Sequence, residues 1–273
     1  MQIFIVIVCC FIFITGLSML SDRIRQIWKK LFSFQEQLHT LRRDITELRK
    51  QVIIAQVKDG LRLPALMPSQ EGEDILLYNF FEHKQTGFYV DIGAYDGSTW
   101  SNTYFFEALG WNGILIEPDP DLYKACLRSR PNSKVINMAV TNKSGSVQFT
   151  RTSSVGNWLS FVGKDKKRTE RIRSAGGTPE RITVPCLTLN DILKDCMENI
   201  DFISIDVEGG ELEVFSGFDI ERFHPRVLVI EHHANEMDTA VRKLLAAHGY
   251  VDRYRVGCNT FYTRTDDKET FKW

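Results

Sequence analysis

The run Phe88-Tyr89-Val90-Asp91-Ile92-Gly93-Ala94-Tyr95-Asp96-Gly97-Ser98 limits what this chain can build more than any other stretch. Apolar and aromatic residues lead into an acid, two glycines follow four positions apart, and Ser98 stands where a helix N-cap belongs. That order reads as a buried parallel strand, a tight turn and a helix start. Gly93 and Gly97 allow the backbone to come close to something bound at the strand end. Open α/β sheets bind their ligands at the carboxyl ends of the strands.

The spacing argues against a phosphate. A dinucleotide site asks for G-x-G-x-x-G, whereas this turn reads G-x-x-x-G, and no Gly-Lys-Ser/Thr of a P-loop occurs. An acid just ahead of the first glycine suits a cationic or amino-bearing ligand. A second apolar run, Gly113-Ile114-Leu115-Ile116-Glu117-Pro118, also ends in an acid. A carboxylate at the tip of a second strand can grip both hydroxyls of a ribose. Asp91 and Glu117 together point to S-adenosylmethionine; the plainer reading has two strand-end acids that cap helices.

Five segments, in order, make the sequence similar to the FkbM family of S-adenosylmethionine-dependent methyltransferases. They are Ser69 to Asp74 (SQEGED), Gly87 to Gly93 (GFYVDIG), Ser101 to Tyr104 (SNTY), Ile116-Glu117-Pro118, and Ile205 to Glu211 (IDVEGGE), and the similarity runs from residue 69 to about 263. The glycine turn alone is a weak signal, while the ordered set of five is specific. The resemblance implies a doubly wound, Rossmann-like methyltransferase sheet and, as acceptor, a hydroxyl of a glycan or glycolipid. By position in that fold, Asp96 would help to bind the methionine end, and Asn137, Met138 and Ala139 would border the adenine. The SNTY segment matches the family without an evident role beyond helix packing or substrate contact.

A chain of 273 residues with 43% hydrophobic content supports one α/β domain plus an extension. The net charge of -1 predicts no broad nucleic-acid footprint. The cysteines, from the adjacent Cys9 and Cys10 to Cys258, form no C-x-x-C and indicate neither zinc nor a disulfide framework.

Ile3 to Leu20 carry no charge and are rich in Ile, Val, Phe and Leu, about the minimum length that spans a bilayer. No basic start or Ala-x-Ala site marks a cleaved signal peptide, so residues 1–21 are expected to be a retained transmembrane anchor. Arg23, Arg25, Lys29 and Lys30 just after it favour a cytosolic bulk by the positive-inside rule. The glycan chemistry implied by the resemblance, and the sequon Asn142-Lys143-Ser144, favour the lumen instead. The expectation is a single-pass protein of the endomembrane system, Golgi or endoplasmic reticulum, with its orientation open.

Residues 22–57 are expected to be a coiled-coil stalk. Ile24, Ile27, Leu31, Phe34, Leu38, Leu41, Ile45, Leu48 and Val52 alternate at spacings of 3 and 4, an unbroken a/d repeat that favours a homo-oligomer over a lone amphipathic helix. Gly60, Pro64 and Pro68 make 58–69 a linker, and 70–273 forms the methyltransferase-like domain. Expected strands are Phe88 to Ile92, a second ending at Glu117, Lys134 to Val140, Val147 to Thr150, Ile182 to Cys186, Asp201 to Asp206 and Arg226 to Glu231, followed by an antiparallel hairpin of Tyr250 to Arg255 and Thr260 to Thr263. The first crossover helix is expected over Ser98 to Leu109. Arg151 to Arg181, poor in aliphatics and carrying Lys164, Lys166, Lys167, Arg168, Arg171 and Arg173, reads as a long insertion: a solvated mobile segment, or a lid whose basic residues meet an acidic substrate or membrane.

Methyl transfer to a hydroxyl needs alignment of acceptor, methyl and leaving sulfur, and a base for the hydroxyl proton. Asp206 and Glu208 follow the fourth parallel strand; His232 and His233, next to Glu231, follow the fifth. Histidine titrates near neutral pH, and neighbouring acids can raise Asp206 into that range. The spacing of Asp206, Glu208, Glu231 and His232 matches no recognised metal motif, although the donors would suit a hard divalent ion. The reading is a membrane-anchored O-methyltransferase; the rival is a catalytically silent membrane adaptor working through its coiled coil. If the stalk reading holds, a peptide of residues 22–57 is helical and dimeric or trimeric in sedimentation, and Leu41→Asn weakens it by placing an amide in the seam. Monomer at high concentration leaves the amphipathic reading.

Overall fold

The computed structural model describes residues 22–57, 66–152, 157–232 and 236–273. The expected anchor, residues 1–21, lies outside the described residues, as does most of the expected linker. Among the described residues no helix is long and apolar enough to cross a membrane. The described residues divide into two compact units, with the division falling between Leu48 and Arg49.

One helix, α1, runs Asp22–Val57 without interruption. Its seam residues Ile27, Leu31, Phe34, Leu38, Leu41, Ile45, Leu48 and Val52 are all exposed. Near its end Lys50 is buried; its ammonium donates to the Ser69 carbonyl and faces the buried Asp74 carboxylate. The SQEGED segment is thus largely structural. Asp74 accepts from Ser69 N at 3.1 Å, and Glu73 accepts from Glu71 N and from the Asn259 amide, each at 2.9 Å. Helix α2, Glu73–Phe80, follows.

The main sheet has seven strands: β1 Phe88–Ile92, β2 Asn112–Ile116, β3 Lys134–Ile136, β8 Phe202–Ile205, β9 Val227–Glu231, β10 Tyr250–Val256 and β11 Asn259–Arg264. Their spatial order is β10-β11-β9-β8-β1-β2-β3. Strands β1, β2, β3, β8 and β9 are parallel, and the terminal hairpin adds antiparallel to β9. Alternation along β1 serves two different faces. Val90 and Ile92 join an aliphatic cluster with Ile203, Ile205, Leu228 and Ile230. Tyr89 joins an aromatic cluster with Phe106, Trp111 and Phe202, and Asp91, two residues on, shares its face.

Three expectations need correction. The crossover helix after β1 is short: α3 covers Tyr104–Leu109, because Asp96 and Ser101 hold residues 98–103 in turns through side-chain bonds that compete with helix. The insertion 151–181 is structured in its described part. β5, Gly145–Thr152, pairs along its whole length with β7, Pro179–Leu187. Between them lie a 3-10 turn at Asn157–Leu159, β6 at Phe161–Val162 and the basic helix α5, Lys166–Ser174. The third strand breaks after Ile136. Asn137 donates to the Glu117 and Pro118 carbonyls at 2.8 and 3.0 Å, turning the chain so that the next strand, β4 at Ala139–Val140, leaves the main sheet and pairs with β7. These strands form a second, four-stranded sheet, β4-β7-β5-β6.

Helix α4, Pro120–Ser129, follows β2 and starts on Asp119, a capping acid placed just after Pro118 in the sequence, which accepts from Asp121 N and Leu122 N. Just beyond its end stands Arg130, whose side chain has no solvent exposure; nor has that of its partner Glu107, 2.7 Å away. Arg130 also donates to the Tyr89 hydroxyl at 2.6 Å, the Gly97 carbonyl at 2.9 Å and the Thr103 hydroxyl at 2.9 Å. Burial works against charge on Glu107, but the Arg130 guanidinium and the bonds from Ser133 and Asn132 outweigh it and hold the carboxyl below the usual range. Arg130→Leu would strand Glu107 in the core, and breaking a buried pair from one side costs about 3–5 kcal/mol. Urea unfolding of the variant should show a loss of that size, and a change below about 1 kcal/mol would mean that the pair is not what joins β1, α3 and α4.

Candidate active site

The parallel strand order reverses between β1 and β8, and a cleft opens there at the carboxyl ends of the strands. It encloses about 1050 Å³, part of it open to solvent, and Asp91, Gly93, Tyr95, Glu117, Met138 and Asp206 contribute to its walls.

Glu117 is buried at the tip of β2. Its Oε2 accepts from Tyr95 N at 2.9 Å, and its Oε1 from Asp119 N at 2.8 Å. One backbone donor on each oxygen fixes the carboxylate plane. An ionised carboxylate has roughly four acceptor positions, so each oxygen retains room for a hydroxyl from the cleft. Burial pushes the Glu117 pKa up to about 8; the two backbone donors oppose that rise, and Asp119 and Asp91 add to it. Asp91 is also raised, first by burial, with Arg130 and Thr103 opposing. Its Oδ2 accepts from the Thr103 hydroxyl at 2.6 Å, and that hydroxyl in turn accepts from Arg130.

The SNTY segment acquires a role here. Ser101 Oγ accepts from Thr103 N and Tyr104 N at 3.2 and 3.1 Å. Thr103 steadies Asp91. Asn102 lines the cleft and donates to Ser204 at 3.1 Å.

The other expected residues divide between the scaffold and the cleft wall. Both Asp96 oxygens are engaged in the turn by Ser98 and Thr99, through backbone and hydroxyl donors at 2.7–3.1 Å. Those bonds outweigh burial and lower its pKa, and Asp96 is not among the residues lining the cleft. Gly93 has φ +84°, and a Cβ there would meet the Asp206 carbonyl at 1.7 Å; at Gly97, with φ +79°, one would meet Ser129 Oγ at 2.6 Å and Arg130 Cγ at 2.9 Å. Both glycines thus permit close approach of protein to protein, and Gly93 also lines the cleft. Met138 and Ala139 line the cleft, while Asn137 shapes the backbone beneath it.

Asp206 and Glu208 line the cleft. Asp206 is exposed along it, yet protein crowds the carboxyl. That crowding, followed by the facing charges of Glu231 and Glu208, raises its pKa well above the usual range. Asp206, Glu208 and Glu231 bring carboxylate oxygens within 4.8 Å of one another, hard donors of the kind a divalent ion takes. The cluster already has a cation, since Arg171 of α5 meets Glu208 at 3.1 Å. Arg168 donates to the Gly209 carbonyl at 3.2 Å. Two of the basic side chains of the insertion therefore meet the IDVEGGE loop, and Trp158, Ser160, Phe161 and Val162 of the same insertion line the cleft. His232 is not among the lining residues; its backbone N–H donates to the Cys258 carbonyl at 2.7 Å. His233 lies outside the described residues.

Sequence reasoning did not single out Tyr95, Trp100, Trp158 or Arg130. A tryptophan in an insertion poor in aliphatics was the available signal for Trp158; Arg130, one arginine among many, gave none. The raised acids set a pH dependence. A carboxyl with a folded pKa above its unfolded value binds its proton more tightly when folded, so ionising it lowers stability. For Glu117 that loss accrues as pH rises from the ordinary carboxylate range to about 8. The unliganded protein should melt lower at pH 8 than at pH 5.5, and Glu117→Gln should lessen the difference; a variant with the wild-type pH profile would contradict the assignment.

Known proteins share features with this chain. The family model described as the methyltransferase FkbM domain matches residues 91–251. No curated protein matches. Among solved structures, human methyltransferase 10 domain containing protein is 13% identical with a TM-score of 0.42, covering 81% of this chain and 97% of its own. Precorrin-6y C5,15-methyltransferase from Geobacter metallireducens is 14% identical with a TM-score of 0.40, covering 76% and 93%. The N-terminal domain of human METTL16 is 15% identical with a TM-score of 0.42, covering 76% of each chain. The family match, spanning more than half of the sequence and containing the cleft acids Asp91, Glu117 and Asp206, shows that the chain belongs to the FkbM family of methyltransferases.

Proposed function

We propose that the protein methylates a hydroxyl with S-adenosylmethionine as donor, the acceptor being a sugar hydroxyl of a glycan or glycolipid. The observation that carries the cofactor reading is Glu117, a carboxylate in the cleft wall with each oxygen held by one backbone donor and each able to accept one hydroxyl of a vicinal diol. Asp91, steadied by Thr103, supplies a second acceptor for an ammonium group. S-Adenosylmethionine, when bound, supplies a methyl carbon already made electrophilic by its sulfonium.

The protein's part is to orient the acceptor and take its proton. Asp206 is the candidate base, because it lines the cleft and the surrounding protein and neighbouring acids raise its proton affinity. Glu208, tied to Arg171, is better suited to positioning. The uncharged run 3–20 supports anchoring in an endomembrane, where glycan and glycolipid acceptors are displayed, and the exposed seam of α1 supports self-association.

Equilibrium dialysis with labelled S-adenosylmethionine, paired with turnover, tests the reading. Asp91→Ala and Glu117→Ala each remove hydrogen bonds to charge worth roughly 1.5–3 kcal/mol, about ten- to hundredfold in affinity. Asp206→Asn should keep affinity and lose about 10²–10⁴ in rate. Wild-type affinity in both binding-site variants would discard the cofactor assignment, and no binding to the wild type would leave the silent adaptor.

A further inference from the structure

Two tryptophans stand at the cleft without a part in the reading above. Trp100 and Trp158 are 44% and 42% exposed, and both line the cleft that holds Asp91, Glu117 and Asp206. Their rings meet edge to face, 5.6 Å apart at 79°. They come from unrelated elements: Trp100 follows the glycine turn and Trp158 sits in the 3-10 turn of the insertion. Trp100 holds φ +57°, an unfavourable backbone for a bulky side chain, and a bridge to Ser69 keeps it there. Large aromatics kept in water, one of them on a strained backbone, mark a binding surface better than a packing one.

We infer that Trp100 and Trp158 form the acceptor subsite and hold the apolar face of a neutral pyranose ring. This rests on the methyltransferase reading and extends it to where the acceptor sits. An indole face is the negative side of a quadrupole and attracts the weakly positive C–H groups on one side of a sugar ring. The rim hydroxyls then need neutral partners. Gln70, Asn102 and Asn259 line the same cleft; Asn102 and Asn259 each give one amide bond to the scaffold and keep further donor and acceptor capacity. No Lys, Arg or His is among the described lining residues, whereas Asp91, Glu117, Asp206 and Glu208 are. A phosphate or carboxylate on the acceptor would therefore meet acids in the cleft wall, while the nearby cations Arg130 and Arg171 lie outside the lining and are already held by Glu107 and Glu208.

The test uses the full chain in a sugar-free detergent, with 5-fluorotryptophan at its 5 tryptophans and S-adenosylhomocysteine filling the cofactor site. The probes are methyl pyranosides of neutral hexoses and 6-deoxyhexoses, a methyl glucuronoside, uridine and uridine monophosphate. Fluorine signals assigned by Trp100→Phe and Trp158→Phe should move with at least one neutral pyranoside and not with the other probes. Trp158→Ala should weaken that pyranoside by about tenfold or more, a size expected for loss of an aromatic stacking partner, with S-adenosylhomocysteine affinity unchanged. The inference is overturned if no neutral pyranoside moves either signal, if the charged or nucleoside probes act as well, or if Trp158→Ala binds the sugar like wild type. In each case retained S-adenosylhomocysteine binding leaves the cofactor reading intact. If S-adenosylhomocysteine itself does not bind, the cofactor reading falls and this inference falls with it.

Discussion

The charge of Arg130, wholly buried, organises the binding end of the sheet. Its guanidinium joins the face of β1 through Tyr89, the helix after it through Glu107, the glycine turn through the Gly97 carbonyl, and Asp91 through the Thr103 hydroxyl. A buried ion pair is a poor source of net stability, because desolvation offsets most of the attraction. Its value lies in geometry. Each donor has a named acceptor, so the strand end, the turn and the helix end have one relative placement.

That placement accounts for the electrostatics of the cleft. Asp91 lies close enough to Arg130 to have the cation oppose its burial, while Glu117 has only backbone donors and rises to about 8. Asp206, crowded by protein and then faced by Glu231 and Glu208, rises as well. The cleft thus gathers acids whose proton affinity the environment raises, the pattern expected at a functional site. Arg171 offsets part of the negative charge near Glu208 from an element outside the main sheet.

Much of this was legible in the sequence. Strand-end acids at Asp91, Glu117 and Asp206, the terminal hairpin and the Asp119 cap depend on local pattern, and local pattern is what a sequence displays. The helix expected from Ser98 failed because Asp96 and Ser101 offer the backbone side-chain partners that compete with helix. The insertion looked structureless because its own elements are short and draw their order from distant partners: β6 covers two residues and pairs with β5, and α5, with Ile172 as its one aliphatic, meets Gly209 and Glu208 through Arg168 and Arg171. Arg130 escaped notice for the same reason: its partners Tyr89, Thr103 and Glu107 lie 23 to 41 positions away. Gly93 and Gly97 also answer a constraint that local pattern does not display, since a side chain at either would run into Asp206 or the end of α4.

The central claim is that Glu117 accepts the ribose hydroxyls of S-adenosylmethionine as a carboxylate. Its pKa of about 8 in the free protein means that binding near neutral pH must drive a proton off. Calorimetric titration of S-adenosylmethionine into the full chain at pH 7, in two buffers of different ionisation enthalpy, reads that proton directly. The account predicts release of a fraction of a proton on binding, affinity that rises with pH until about 8 and then levels, and no release in Glu117→Gln. Binding with no proton released, or with the same release in Glu117→Gln, would contradict it.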